Sequence, residues 1–185
     1  MTRQASKVSP QGAQRAADMT DPPHAEGESI CPGRAACLLF EEARLLDAGR
    51  YSEWLALYAH NASYWIPSWK NENQPTGDPQ RELSYIYLTR DMMKDYTVRM
   101  ESSFAFAASP MLRTTRMVGN VLLDAERPGL VHSKWLMHVY RRSVSELFSG
   151  DCEHVLVRED GELRIASKKV ILINDRFELG YMPLV

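Results

Sequence analysis

The hydrophobic pattern changes part way along the segment "LRIASKKVILIN", residues Leu163–Asn174. Leu163 and Ile165 alternate with Arg164, which is typical of a strand with one exposed face. Every residue of Val170–Ile173 is apolar, as in a strand that is covered on both faces. We expect one face to pack on helices and the other to lie against a neighbouring subunit. The alternative is that loops of the same chain cover it.

Two helices are predicted earlier in the chain, in "RAACLLFEEARLLDAGRYSEWLALY". The first has apolar residues at steps of three and four, which place them on one helix face: Ala36, Leu39, Phe40, Ala43 and Leu46. Gly49 stands where a left-handed C-terminal cap is expected, and Ser52 is the predicted N-cap of a second helix that runs through Trp54 and Tyr58.

The middle of the chain is less regular. "NASYWIP" predicts a short strand, residues 68–80 predict a long loop, and "LSYIYLTRDMMKDYTVRM" becomes helical by its middle. From Arg113 onward the alternation is that of strands, separated by turns at Pro128-Gly129 and Asp160-Gly161. The pattern predicts an α+β fold in which a curved antiparallel sheet wraps around the N-terminal helices.

The first 32 residues contain almost no large apolar side chains, so they are predicted to form a flexible N-terminal tail. With 185 residues, of which 44% are hydrophobic, the chain fits one α+β domain over residues 33–185. The sequence contains no internal repeat.

Charge and composition narrow the function classes. A net charge of -2 gives no basic surface for nucleic acid or an anionic membrane. No apolar run approaches the roughly 18 residues that cross a bilayer, and the first residues lack a secretory signal, so a cytoplasmic location is expected. Cys31, Cys37 and Cys152 have no paired short spacing, which gives no disulfide framework or zinc site.

Histidine is the best candidate for catalysis, because a curved sheet over helices encloses a cavity in which it could act as acid or base. His138 with Asp91 is the candidate pair, and packing beside Trp135 and Tyr140 is the alternative role of His138. His132 shares a strand face with His138 about 20 Å away, too far for a shared metal ion.

The arginines of "RDMMKDYTVR", "RTTR" and "YRR" either form a solvated surface or stack and pair against another subunit. Trp65, Trp69 and Trp135 similarly belong either to the core or to an interface.

Several separated segments, in order, resemble the small (beta) subunit of aromatic-ring-hydroxylating dioxygenases: "FEEARLLDAGRYSEWLALYAHNASYWIP", "RTTRMVGNV", "HVYRRS" and "GDCEHVLVREDGELRIASKKVILI". The resemblance runs from about Ala35 to about Asn174. It implies a cone-shaped fold of the scytalone-dehydratase and nuclear-transport-factor-like (cystatin-like) type, in a complex of three large and three small subunits.

The resemblance also implies a division of labour. The large (alpha) subunit carries a Rieske 2Fe-2S cluster and a mononuclear iron, and receives electrons from NAD(P)H through a reductase or ferredoxin. The small subunit is chiefly structural, and this sequence lacks both Cys-His pairs at Rieske spacing and a two-histidine, one-carboxylate iron motif. No catalytic, cofactor-binding or metal-binding residue is therefore expected in this chain.

Residues in the matching segments are expected to belong to the scaffold or to subunit contacts: Arg90, Arg99, Arg113, Arg116, Asn120, Tyr140, Arg141, Gly150 and Arg164. Two other functions remain open. One is a free-standing cone-fold dehydratase or isomerase that uses His138 or His132 with Asp91, and the other is a small-ligand binding protein.

Overall fold

The computed structural model describes residues 29–102, 112–178, 180 and 183–185. The predicted tail lies mostly outside this range, so its flexibility and the predicted domain boundary stay predictions. The described elements, in chain order, are α1 (Pro32–Asp47), α2 (Tyr51–Ala56), β1 (Tyr58–Pro67), β2 (Trp69–Asn71), β3 (Gln74–Pro75), β4 (Ser84–Thr89), α3 (Arg90–Glu101), β5 (Arg113–Leu123), β6 (Leu130–Arg141), β7 (Val144–Glu159) and β8 (Glu162–Leu172).

Helix α1 ends as predicted, at a glycine in the left-handed conformation. Gly49 has φ of 66°. Its N–H donates to the Leu46 carbonyl at 3.2 Å, and the next N–H, of Arg50, donates to the Leu45 carbonyl at 2.9 Å. These two bonds form a Schellman motif, in which only glycine avoids a steric penalty.

The buried face of α1 differs from the apolar face that the sequence predicts. Phe40 is 49% exposed, and the face that packs on the sheet comprises Ala35, Leu39, Glu42, Leu45 and Leu46. The prediction favoured the most apolar stripe, whereas the helix is rotated so that a carboxylate enters the core. Tertiary contacts to Glu42 determine this rotation.

Helix α2 begins one residue earlier than Ser52, so the prediction that Ser52 is its N-cap is wrong. Arg50 occupies the N-cap position. Ser52 instead binds Glu101 at the end of α3, through its N–H and its hydroxyl, both at 2.7 Å. Tyr58, which was predicted to lie on this helix, is the first residue of β1.

Six strands form one sheet in the order β4-β1-β8-β7-β6-β5. The predicted meander of β5, β6, β7 and β8 is confirmed, with every neighbouring pair antiparallel. The predicted α+β fold with a curved sheet is confirmed, but the sheet is mixed and not antiparallel throughout, because β1 pairs parallel with β8. Hydrophobic alternation is the same in both directions, so it carries no information about this pairing.

The turns and loops follow their local chemistry. Asp160 and Gly161 both have positive φ, of 54° and 80°, as the predicted tight hairpin requires. Asn120 has φ of 50° at a register irregularity of β5. The segment predicted as a loop over residues 68–80 contains the short hairpin of β2 and β3.

Strand β8 contains a bulge that changes which of its residues face the core. Ile165 pairs with Leu156 and Ser167 pairs with Val155, so Ala166 is the extra residue. After the bulge the inward face carries Lys168, Val170 and Leu172, all buried. The expectation that one face of β8 packs on the core is confirmed.

The core lies between the inner face of the sheet and the helices. Trp54 of α2 packs edge-on against Tyr58 and Tyr64, with ring centroids 5.0 and 6.4 Å apart. Aromatic side chains of this size bury large apolar areas and stabilise the contact of helix with sheet. Among the described residues no helix is long and apolar enough to cross a membrane.

Candidate functional site

A cluster of charged and polar side chains lies inside the cone, formed by residues other than the histidine and aspartate that the sequence suggested. At its centre is Glu42 of α1, which is 2% exposed. Its carboxylate accepts from the Lys168 ammonium at 2.8 Å and lies 3.2 Å from Nε2 of His154. The Tyr58 hydroxyl also donates to it. A buried carboxylate is tolerated only when it is paired in this way.

Four separate elements bring these groups together, with Tyr58 contributed by β1. Glu42 lies three residues after Leu39 and four before Leu46, on the buried face of α1. His154 alternates with Cys152 and Leu156 on the inner face of β7. His154 is paired directly with Lys168 of β8 in the sheet register.

The electrostatics of the cluster favour its charged forms. Burial alone would raise the pKa of Glu42, but Lys168 and His154 outweigh it and hold that pKa well below its usual range. For His154, burial favours the neutral imidazole, while contacts with Cys152 and Glu42 outweigh this effect and raise its pKa to about 9. Burial, followed by the Glu42 charge, raises the pKa of Tyr58, so its hydroxyl stays protonated as a donor.

The last described residues of the chain enter the same interior. The N–H of Val185 donates to the Tyr64 hydroxyl at 2.8 Å, and Lys168 donates to the main-chain oxygen of Val185. Arg116 donates to the carbonyl oxygen of Leu184 and pairs with Asp47 of α1. The chain itself therefore fills much of the cone.

Among the described residues, little space remains beside Glu42 for a substrate. The cavity beside Glu42 has about 20 Å³ of free volume, room for about one water molecule. An aromatic or other drug-sized ligand needs a pocket of at least about 300 Å³. The described residues contain no group of three or more His, Cys, Asp or Glu side chains placed to hold a metal ion. The cluster is arranged to bind the layers of the fold together.

The predicted acid–base pair is not in the cone, and this prediction is wrong. His138 is exposed on the outer face of β6, with Nε2 2.6 Å from the Ser145 hydroxyl. His132 lies on the same outer face, 3.1 Å from the Asp124 carboxylate. Asp91 is exposed in the first turn of α3. Even-numbered residues of β6 point outward, whereas Trp135 points inward.

The structure brings some of the predicted scaffold residues together. Arg113 stacks on Tyr140 across β5 and β6, with its guanidinium 4.4 Å from the ring centroid. Arg164 donates to the carbonyl oxygen of Ala56 at 2.7 Å, and Arg90 is half-buried at the start of α3.

The remaining predicted residues are dispersed. Arg99 lies over Tyr96 within α3, at 5.4 Å from the ring centroid. Arg141 lies at the end of β6, Asn120 lies at the β5 irregularity, and Arg116 is inside the cone. A Cβ atom on Gly150 would stand 1.9 Å from the Ile171 carbonyl oxygen, so the neighbouring strand demands glycine there.

The tryptophans divide between core and edge. Trp135 is buried, Trp65 donates to the Ser84 hydroxyl at 2.8 Å, and Trp69 donates to the Leu172 carbonyl at 3.1 Å. The residues that sequence analysis missed are Glu42, His154 and Lys168. His154 alternates with Cys152 and Leu156 along the strand, which is a sequence signal that it faces inward. Glu42 lies three residues after Leu39, which is a sequence signal that it lies on the buried helix face. Lys168 has no such signal in the sequence, because the bulge in β8 changes which residues of the strand face inward.

Comparison with known proteins agrees with this architecture. A family model described as ring hydroxylating beta subunit matches residues 41–178. The 2-halobenzoate 1,2-dioxygenase small subunit of Burkholderia cepacia is 34% identical over 140 residues, covering 74% of this chain and 85% of that protein. The benzoate 1,2-dioxygenase subunit beta of Acinetobacter baylyi is 33% identical over 141 residues, covering 74% of this chain and 83% of that protein.

Solved structures show the same fold. The beta subunit of benzoate 1,2-dioxygenase from Burkholderia mallei aligns with a TM-score of 0.65 and 25% identity, covering 79% of this chain and 93% of that chain. A putative scytalone dehydratase from Novosphingobium aromaticivorans aligns with a TM-score of 0.50 and 13% identity, covering 75% of this chain and 80% of that chain. This likeness shows the shared cone fold alone. The resemblance seen in the sequence is confirmed: the chain belongs to the family of beta subunits of aromatic-ring-hydroxylating dioxygenases.

Proposed function

We propose that this chain serves its dioxygenase complex as an architectural subunit, in a particle of three large and three small subunits. In this family the Rieske cluster and the mononuclear iron belong to the large subunit. A ring of subunits would hold the cluster of one large subunit close to the iron of the next. The small subunit would fix that arrangement and carry no reacting group.

The observation that carries this proposal is a row of apolar side chains on the outer face of the sheet. Met117 of β5 pairs with Leu136 of β6, which pairs with Ser149 of β7. The Ser149 carbonyl accepts from the N–H of Ile173, which continues the row past the end of β8. Leu147 lies beside it on β7. We call Met117, Leu136, Leu147 and Ile173 the outer row.

The outer row is poorly covered by the chain itself. Met117 is 69% exposed, Leu147 is 52% exposed and Ile173 is 71% exposed. A contiguous exposed apolar surface is typical of a protein interface. An exposed apolar row on the outer face of the sheet suits a scaffold that packs against another subunit.

We assign the catalytic large subunit to this surface, because it is the partner that membership of the family implies. The predicted subunit contact of the outer face of β8 thereby extends across β7, β6 and β5. Arg113, stacked on Tyr140, stands at one end of the same face and would supply a rigid cationic contact at the rim.

The substrate class that we propose is an aromatic carboxylate. Relatives that are 32–34% identical are subunits of benzoate, 2-halobenzoate and toluate 1,2-dioxygenases. These three substrates share a benzoate core. Electrons would come from NAD(P)H through a separate reductase or ferredoxin, and the complex would work in the cytoplasm.

The test is reconstitution of activity. The large subunit, with its iron centres loaded and with NADH and its electron-transfer proteins supplied in every assay, is assayed for oxygen uptake with benzoate, with naphthalene as a second substrate, in the presence and absence of this chain. We expect benzoate-dependent turnover only in the mixture, and none from this chain alone. Turnover by the isolated chain with any substrate would contradict the architectural role, and preference for naphthalene would contradict the substrate class alone.

A further inference from the structure

The cavity inside the cone is lined by four polar side chains that each have an atom without a hydrogen-bond partner among the described residues. These atoms are Ser133 Oγ, Trp135 Nε1, His154 Nδ1 and Arg116 Nε. Ser133, Trp135 and His154 are 3%, 6% and 2% exposed. Buried polar atoms in native proteins are almost always satisfied, by protein or by ordered ligand, so four on one cavity call for an explanation.

The sheet register places three of these groups, Ser133, Trp135 and His154, in succession on the inner face, and Arg116 lines the same cavity. Ser133 of β6 lies directly opposite Cys152 of β7, and His154 is the next inward residue of β7. Trp135 is the next inward residue of β6 on the other side of Ser133. Ser133 and His154 are diagonal neighbours on one face of the sheet, with backbones about 7–8 Å apart, so their side chains can approach one bound species between them. Ser133 therefore lies in the middle of the group.

The chemistry of these atoms selects an acceptor. Indole and guanidinium N–H groups donate hydrogen bonds and cannot accept them. Lys168 and Arg116 also make the cavity wall cationic, while Glu42 is the acidic residue of that wall. Asp47, which binds Arg116, lies behind it. A ligand with lone pairs can accept hydrogen bonds from these donors. A metal cation would instead be repelled by the N–H groups and by the positive charges of Lys168 and Arg116.

The size of the cavity limits the ligand. Its free volume is about 20 Å³, which accommodates one water-sized particle. We propose that the cavity is a binding site for one water-sized hydrogen-bond acceptor, a halide ion or an ordered water molecule, held by Ser133, Trp135 and Arg116. This site is independent of the proposed assembly, because every residue that forms it belongs to the interior of this chain.

Crystallography of the full chain tests the proposal. Crystals are grown in sodium bromide in place of chloride, and anomalous data are collected at the bromine edge. A halide site gives an anomalous peak within hydrogen-bond distance of Ser133 Oγ and of a Trp135 or Arg116 nitrogen. A water site gives a density peak at that position without anomalous signal. A cavity without density, or one filled by a side chain of this chain, overturns the proposal.

Matched variants test whether hydrogen bonds from these side chains hold the ligand, or whether it occupies the cavity without them. Trp135→Phe removes one donor and keeps the ring, and Ser133→Ala removes the central hydroxyl. We expect the peak to be lost or to fall severalfold in occupancy in each variant crystal. Ser149→Ala, on the outer face of β7, is the control and should leave the peak unchanged. Full occupancy in both Trp135→Phe and Ser133→Ala would show that these donors do not hold the ligand.

Discussion

Glu42 on the first helix and Lys168 on the last strand are 126 residues apart in the chain, and their side chains form a buried hydrogen-bonded ion pair at 2.8 Å. The pair ties the helical layer to the sheet near the parallel junction of β1 and β8. His154 joins it from β7 and Tyr58 from β1, so one carboxylate connects four elements. The polar groups inside this cone hold the layers together.

Removing the central carboxylate should destabilise the protein strongly. Glu42→Gln leaves Lys168 and His154 buried without their counter-charge, and breaking a buried pair by removing one partner costs about 3–5 kcal/mol. We expect the free energy of unfolding in urea to fall by about that amount. Glu41→Gln is the control, because Glu41 pairs with Arg44 at the surface; it should change stability by less than about 1 kcal/mol.

A second variant keeps this prediction decisive if Glu42→Gln fails to fold. The double variant Glu42→Gln, Lys168→Met removes both charges and retains much of the volume, and it should recover part of the lost stability. Equal losses in Glu42→Gln and Glu41→Gln would show that the interior pair does not stabilise the fold.

Stability should fall on the alkaline side of neutrality. The pKa of His154 is raised to about 9 in the folded chain, against about 6.5 in the unfolded chain. Its contribution is therefore complete below about pH 6.5 and is lost as the pH rises through 9. The groups facing it are Glu42 of α1, Lys168 of β8 and Cys152 of β7.

The measurement is the thermal midpoint between pH 6 and 9.5, for the protein and for His154→Gln. We expect the midpoint of the protein to fall more steeply than that of the variant, and the two curves to converge at high pH. On the acid side, Glu42 contributes stability above about pH 4.5, which is lost as the pH falls through its depressed pKa. Parallel curves across the alkaline range would contradict the shifted pKa of His154.

Gly150 and Gly119 should respond oppositely to the same substitution. A Cβ atom at Gly150 would lie 1.9 Å from the Ile171 carbonyl oxygen, whereas at Gly119 it would meet nothing within 4 Å. Gly150→Ala must separate β7 from β8 locally, and we expect a loss of about 3 kcal/mol or more. Gly119→Ala should stay within about 1 kcal/mol of the parent. Urea unfolding checks both, and similar values would refute the close approach of the strands.

The outer row should control assembly without controlling folding. Met117→Glu and Ile173→Glu each place a charge on the exposed apolar surface. We expect normal thermal midpoints, within a few degrees, and a loss of at least tenfold in affinity for the large subunit. Met92→Glu is the control, since Met92 is 46% exposed on α3, away from this face. Unchanged binding by both variants, or loss only of contacts between small subunits, would contradict our assignment of this surface.

Sequence pattern was informative wherever one local rule decided the structure. Gly49 ended α1, the Asp160-Gly161 pair set the β7–β8 hairpin, and alternation gave the meander. It failed where distant residues decide: the parallel pairing of β1 with β8, and the rotation of α1 that buries Glu42. Without the bulge at Ala166, Lys168 would lie on the outer face of β8; the bulge turns it inward. Arg113 and Tyr140 were both predicted as scaffold residues, but their stacking on each other and the buried cluster required the tertiary structure.

The most direct test of the architectural role is the mass in solution of this chain, purified alone and then co-expressed with its large subunit, by light scattering. We predict one joint particle of several hundred kilodaltons with large and small subunits in equal number. In that particle the iron content is stoichiometric with the large subunit. A small particle of this chain that does not associate with the large subunit under the same conditions would contradict the proposal.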